Sequence, residues 1–170
     1  MILIVITGTC GSGKSTLAEE LEKRLDPRRF ACIGADETGL NWHDYAGTDH
    51  EQRYNGDCLA IAAARAAGRH LIFASCMTPQ DYMTRFDAPD EIRATYFVAL
   101  SAEDDVIERR LRARPPERGF TSEEAIRPHI EYNRWIRKNR GKYQLHIDNS
   151  RLSVQEAADM IAERISQWTK

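Results

Sequence analysis

"GTCGSGKS", Gly8 to Ser15, follows directly on the apolar opening "MILIVIT". Three glycines, a lysine and a closing hydroxyl stand within eight residues. Glycine inside regular structure costs roughly 0.5–1 kcal/mol relative to alanine, so such a cluster marks backbone that bends sharply or lets something come very close. The run matches the phosphate-cradling pattern GxxxxGK[ST] in full. Its surroundings are those the pattern needs, with a strand-like apolar run before it and an amphipathic helical stripe, Leu17, Ala18, Leu21 and Leu25, after it.

Working outward, five apolar runs read as strands, at residues 2–7, 30–34, 70–75, 94–100 and 143–148. The first, third and fourth are almost continuously apolar, as strands covered on both faces of a parallel sheet are. Helical patterns alternate with them. "CLAIAAARAA" runs to Gly68, a C′ glycine by position. "SAED" from Ser101 and "SVQE" from Ser153 are capping boxes. Val154, Ala157, Ala158, Ile161, Ile165 and Trp168 give the last helix one apolar face. The element order βαβαβαβαα(β)α predicts an α/β fold, a doubly wound three-layer α/β/α arrangement around a five-stranded parallel sheet. Residues 1–170 read as a single domain. Residues 37–55 are polar, rich in Gly, Asp and His, and aperiodic. They read as a long functional loop or short helices.

The 24 basic and 26 acidic residues nearly cancel, which argues against nucleic acid or a membrane surface as a general partner. Cys10, Cys32, Cys58 and Cys76 show no CxxC spacing and read as small residues in or near a reduced core. Cys10, inside the glycine loop, is open to oxidation there. The apolar start is too short to span a membrane and lacks a basic region before it, so the expected location is cytoplasmic. Either a monomer or a homodimer is compatible with the sequence.

In a P-loop, glycines let successive N–H groups turn inward around phosphate oxygens, and the helix that follows adds its positive end. Gly8, Thr9, Cys10, Gly11, Ser12 and Gly13 form that cradle, with Thr16 beside it packing or capping locally. Lys14 reaches the β- and γ-phosphates and Ser15 offers its hydroxyl to Mg²⁺. A base-reading NKxD stretch, expected of a GTPase switch, is absent. "HLIFASCM" ends in Ser75 and Cys76 rather than the Walker-B acid of a motor ATPase. The nearest acids are Asp36 and Glu37, at the carboxyl end of the second strand, where doubly wound sheets bind ligands. Asp36 there either orients an acceptor hydroxyl and takes its proton or caps a turn. For Glu37 the cap is the favoured reading.

"VIERRLRARPPERGF" places Arg110 and Arg114 at i,i+4 on a helix that breaks at Pro115-Pro116, with Arg118 beyond. This reads as the base of a lid over residues 112–124 that excludes water, or as a solvated charged face. Arg127, Arg134, Arg137 and Arg140 on the next helix read mostly as surface charge, with Arg134 the best cleft candidate among them. An acceptor region is expected over residues 37–56 and near 77–85. There Trp42 and Tyr45 could stack on a flat ring, and His43, Asp44, Arg53 and Arg85 could read polar edges.

Together the complete P-loop, Asp36 after strand two and "RLRAR" at 110–114 resemble the small P-loop kinases of the adenylate, shikimate and gluconate kinase superfamily. "FASCM" looks like the corresponding strand of gluconate kinases, and "HIDNS" like the adenine-side loop of the superfamily, with the backbone of 149–151 against the base. The resemblance implies ATP as donor, Mg²⁺ as cofactor and a small-molecule acceptor. It also implies an acceptor-orienting or general-base role for Asp36 and places Arg110 over adenine. Read from the residues themselves, Lys14 and Arg114 join Asp36 as catalytic candidates, Asn149 joins the nucleotide contacts, and Asp36, Trp42, Tyr45, Arg53, Arg118 and Arg134 are the acceptor candidates. The pattern departs from shikimate and gluconate kinases at Gly34, where those have the first acid of a DxD pair. The Trp42/Tyr45 pair tilts the acceptor toward a nucleoside or nucleotide. A gluconate- or shikimate-type metabolite, an antibiotic or a polynucleotide end is the alternative, and a nucleotide-gated regulatory protein the alternative of another class.

Overall fold

The computed structural model describes every residue of the chain except Phe86. Eleven main elements alternate: β1 (Ile2–Thr7), α1 (Lys14–Glu22), β2 (Phe30–Gly34), α2 (Tyr54–Ala66), β3 (His70–Ala74), α3 (Pro79–Thr84), β4 (Ala94–Ser101), α4 (Asp104–Arg112), α5 (Glu123–Lys138), β5 (Leu145–Asp148) and α6 (Val154–Trp168). The strands form one parallel sheet in the order β2-β3-β1-β4-β5. The expected α/β/α class, strand number and element order all hold.

The period-2 alternation of β1 makes the layers. Leu3 and Val5 face Cys58, Leu59 and Ala62 of α2 and Ile136 of α5. Ile4 and Ile6 face Leu17 and Leu21 of α1 and Ala158, Ile161 and Ile165 of α6. Burying each such side chain contributes about 1.5–3 kcal/mol. A smaller cluster, Ala102, Val106, Ile107, Leu111 and Ile126, joins α4 to α5, with Cys10 packed against its edge.

Local signals differ from the fold at two places, the Ser101 cap and the end of α4. Ser101 ends β4 and its Oγ lies 2.9 Å from His146 Nε2, so Glu103 rather than Ser101 precedes α4. The longer strand takes the serine that the capping pattern would claim. Gly68 follows the α2 C-cap, Ala67 (φ 52°), and is the left-handed C′ glycine expected (φ 83°), with the left-handed backbone already begun at Ala67. α4 ends at Arg112, so Arg114 lies past the helix and does not share a helical face with Arg110. The Ser153 capping box is present as read. The aperiodic stretch after β2 folds into three single 3₁₀ turns, Ala35–Glu37, Trp42–Asp44 and Glu51–Arg53.

Candidate active site

The loop from Gly8 to Gly13 leaves β1 between the ends of β3 and β4, at the centre of the sheet. Gly8 is required by proximity: a Cβ there would lie 2.7 Å from the Leu100 carbonyl oxygen and closer still to Ser12 Oγ. Gly13 is the residue before α1 and has φ 93°, a conformation costly for any side-chain-bearing residue. No side chain caps α1 and no acid occupies its first turn, so its leading N–H groups face outward without a protein anion. Lys14 Nζ donates to the carbonyls of Gly8 and Thr9, both at 2.9 Å, which holds the ammonium over the loop. Among the described residues, Ser12 Oγ is buried without a hydrogen-bond partner. A cradle of open amides, a poised cation and an orphaned hydroxyl fits a phosphate chain.

On one side of this cradle is a cleft of about 360 Å³. Leu17, Leu152, Val154 and Ala157 give it an apolar wall, and Arg110, Arg114 and Asn149 its polar rim. Asn149 is the keystone there. Its Nδ2 donates to Ser12 O at 2.7 Å, and its Oδ1 accepts from Arg110 at 3.1 Å. Arg110 also reaches the Asn149 and Gly11 carbonyls, both at 3.4 Å. Burial, then neighbouring Arg109, pulls the Arg110 pKa below its usual value.

On the other side, Ser15 and Asp36 line one cleft of about 260 Å³, with Glu19, Glu22 and Glu37. The turn Ala35–Glu37 that carries Asp36 is held from three directions. Glu37 accepts from the Gly34 amide, the cap role favoured for it. Thr38 Oγ1 donates to Ala35 O at 2.7 Å. Arg65 of α2 donates to Glu37 O at 2.7 Å and Thr38 O at 3.1 Å. Among the described residues no side chain hydrogen-bonds the Asp36 carboxylate, and no group of three or more His, Cys, Asp or Glu could hold a metal. Where a Walker-B acid would stand, Ser75 Oγ instead donates to Asn55 Oδ1 at 3.0 Å and accepts from the Met77 amide.

A family model described as "AAA domain" matches residues 4–128. The chain belongs to the AAA-domain family. Solved structures share the fold of this AAA-domain chain across nearly its whole length. Shikimate kinase from Acinetobacter baumannii in complex with shikimate has a TM-score of 0.65 at 17% identity, covering 98% of this chain and 94% of that one. The Deinococcus radiodurans tunicamycin resistance protein has a TM-score of 0.63 at 19% identity, covering 96% and 95%. Deoxyadenosine kinase from M. mycoides has a TM-score of 0.60 at 17% identity, covering 98% and 100%. A comparison with curated proteins gives no match. The expected likeness to small P-loop kinases therefore holds at the level of fold.

The other expected residues of the AAA-domain chain are placed unevenly. Arg114 lies over the Phe120 ring at 5.4 Å. Phe120 meets His129 edge-on at 5.2 Å, and His129 Nδ1 is 3.4 Å from Thr9 Oγ1, so a contact chain runs from the segment after α4 to the loop. Burial chiefly lowers the His129 pKa. Trp42 and Tyr45 both pack edge-on against Tyr54, at 5.3 and 5.2 Å. Tyr45 also donates to Asp57 at 3.0 Å, which raises its pKa. Arg53 lies 3.8 Å from Asp57, and Arg118 is exposed on the turn Pro116–Arg118. Arg134 pairs with Asp104 at 2.6 Å on the outer side of α5, away from the other candidates. Its heptad spacing from Arg127 points both along one face, and that face meets α4 rather than the cleft. Sequence reading missed Arg65, Asn55 and His129. Their partners are distant in the chain, and no local pattern marks them.

Proposed function

We propose that this protein is an ATP-dependent phosphotransferase acting on a small molecule, with a nucleoside or nucleotide as the acceptor class. The observation that carries the reading is the division of the loop's surroundings. An apolar slot lies on the Asn149 side, and a cleft shared by Ser15 and Asp36 lies on the other. A purine suits the first, and the phosphate chain would cross Gly8 to Lys14 toward the second. Trp42, exposed beside Tyr54, would supply the flat apolar surface a base needs. The fold shared with a deoxyadenosine kinase is consistent with that class.

In this reading Asp36 orients the acceptor hydroxyl and takes its proton, while Lys14 and Arg114 neutralise charge growing on the transferred group. Arg110 and Asn149 hold the base side, and residues 112–124 form the lid, with Arg118 reaching the acceptor. Mg²⁺ would rest on the Ser15 hydroxyl and phosphate oxygens, a ligand set that suits an ion that keeps most of its waters, and it would supply further charge neutralisation. Positioning and electrostatics supply most of the acceleration in such sites.

The test is an ATP-consumption screen over nucleosides, nucleotides, sugar acids and aminoglycoside-like alcohols, with Lys14→Ala as blank. Turnover confined to sugar acids or aminoglycosides overturns the acceptor class, and turnover with none of them overturns the kinase. A second reading, a nucleotide-gated regulatory protein, is favoured by Ser75 standing in for the Walker-B acid. It predicts nucleotide turnover that Asp36→Ala leaves unchanged.

A further inference from the structure

The ends of β1 and β3 lie side by side: Ile6 pairs with Ala74, and the Ser75 amide donates to Ile6 O at 3.0 Å. The glycine loop and the segment after β3 therefore leave the sheet together. Each carries a cysteine within three residues of its strand, Cys10 after Thr7 and Cys76 after Ala74. The pairing of β1 with β3 sets the two cysteines at neighbouring strand ends, and each is the main influence on the other's thiol. Tyr132 of α5 donates to Cys76 O at 3.1 Å and fixes that backbone. Cys76 is exposed, and Cys10 is half-buried against the α4–α5 cluster. Lys14 lies close to both sulfurs, Arg114 and Asp36 lie near Cys10, and His129 lies near Cys76.

The four cysteines are not equivalent. The Cys76 thiol, then Lys14 and Arg114, lower the Cys10 pKa to about 6, while burial and Asp36 oppose them. Burial raises Cys58 and pushes Cys32 up to about 12, which keeps both as thiols. An activated, reachable sulfur beside a second thiol is the arrangement of redox-sensing dithiols.

We propose that Cys10 and Cys76 form a peroxide-sensitive pair whose disulfide bolts the glycine loop to the end of β3. The Cys10 thiolate attacks one oxygen of hydrogen peroxide. The O–O bond breaks, leaving Cys10 as a sulfenic acid, and the released hydroxide takes a proton to become water. The Cys76 sulfur then attacks the Cys10 sulfur, the S–O bond breaks, and the departing hydroxide leaves as water with the Cys76 proton. In total two thiols lose two electrons and two protons, and one peroxide becomes two waters. The bond forms beside Lys14, in the loop itself. On the kinase reading above it therefore blocks phosphoryl transfer until a dithiol reductant reopens it.

Trypsin separates all four cysteines, into peptides 1–14, 30–53, 54–65 and 70–85. The full-length reduced protein is treated with dilute hydrogen peroxide, alkylated and digested. The expected product is a link between peptides 1–14 and 70–85, reversed by dithiothreitol, with the other two alkylated. Cys76→Ser should leave untreated turnover unchanged, give no link, and leave a Cys10 sulfenic acid that dimedone traps. Alkylation of Cys10 after peroxide, a link elsewhere, or Cys10 oxidised beyond the sulfenic state with Cys76 still free overturns the proposal. The map needs no substrate. A 1–14/70–85 link in a protein that turns over no nucleotide upholds the dithiol and removes only the kinase, whereas full turnover by the linked form removes the block.

Discussion

Residues 8–15 and residues 37–53 flank the same strand ends, and they hold their shapes by different means. The first stretch is gripped at its main-chain carbonyls by side chains that reach onto them. Lys14 lies on two loop carbonyls, Asn149 on a third, and Gly8 fits against Leu100 O with no room for a methyl group. The second is a series of 3₁₀ turns closed by their own backbone hydrogen bonds and braced by side chains, with most of its residues exposed. A Cβ added at Gly39 or Gly47 would touch nothing within 4 Å. Backbone rigidity suits a ligand part common to all nucleotides. Exposed side chains on short turns can vary without disturbing the sheet, which suits the part that decides the acceptor.

The largest break in this comparison should come from the charged groups at its meeting point. Lys14→Ala and Asp36→Ala are each expected to lower turnover by about 10²–10³-fold. Only the lysine variant should also lose ATP affinity by calorimetry, and equal losses from both would erase the distinction between the two sides. Gly8→Ala forces a methyl group against Leu100 O, with an expected cost of about 1–3 kcal/mol in denaturant titration. Asn149→Ala leaves Ser12 O without its side-chain donor and frees Arg110. A loss of about 1–2 kcal/mol and a raised KM for ATP are expected, with KM for the acceptor unchanged. Trp42→Ala gives up one edge-on ring contact worth about 1 kcal/mol, and should raise the acceptor KM while leaving that of ATP alone.

The smallest effect is on pH. Burial is the chief cause lowering the pKa of His70, His129 and His146 below the ordinary value near 6.5. As pH falls through that value the unfolded chain takes up protons before the folded one does, so stability declines. The decline should be visible in denaturant midpoints between neutral pH and about pH 5, and His146→Gln should make it shallower.

Much of the fold is legible locally because its signals are local. Continuous apolar strands, the stripe behind Lys14 and the Ser153 cap each act through neighbours in the chain, and the structure keeps all three. The failures are also physical. "SAED" at Ser101 obeys the capping pattern, yet pairing with β5 extends β4 through that serine and His146 engages its hydroxyl. Arg134 has a cleft residue's spacing from Arg127, but Asp104 on α4 takes its guanidinium.

By itself the sequence determined the α/β/α class, the order of elements and the glycine loop between β1 and α1, because hydrophobic period and glycine placement act within a few residues. Tertiary structure alone decided that Ser15 and Asp36 share a cleft, that Arg65 holds the Asp36 turn, and that Cys10 and Cys76 stand at neighbouring strand ends. Those contacts join residues far apart in the chain. They exist only once parallel pairing has brought the ends of β1, β2 and β3 to the same edge of the sheet.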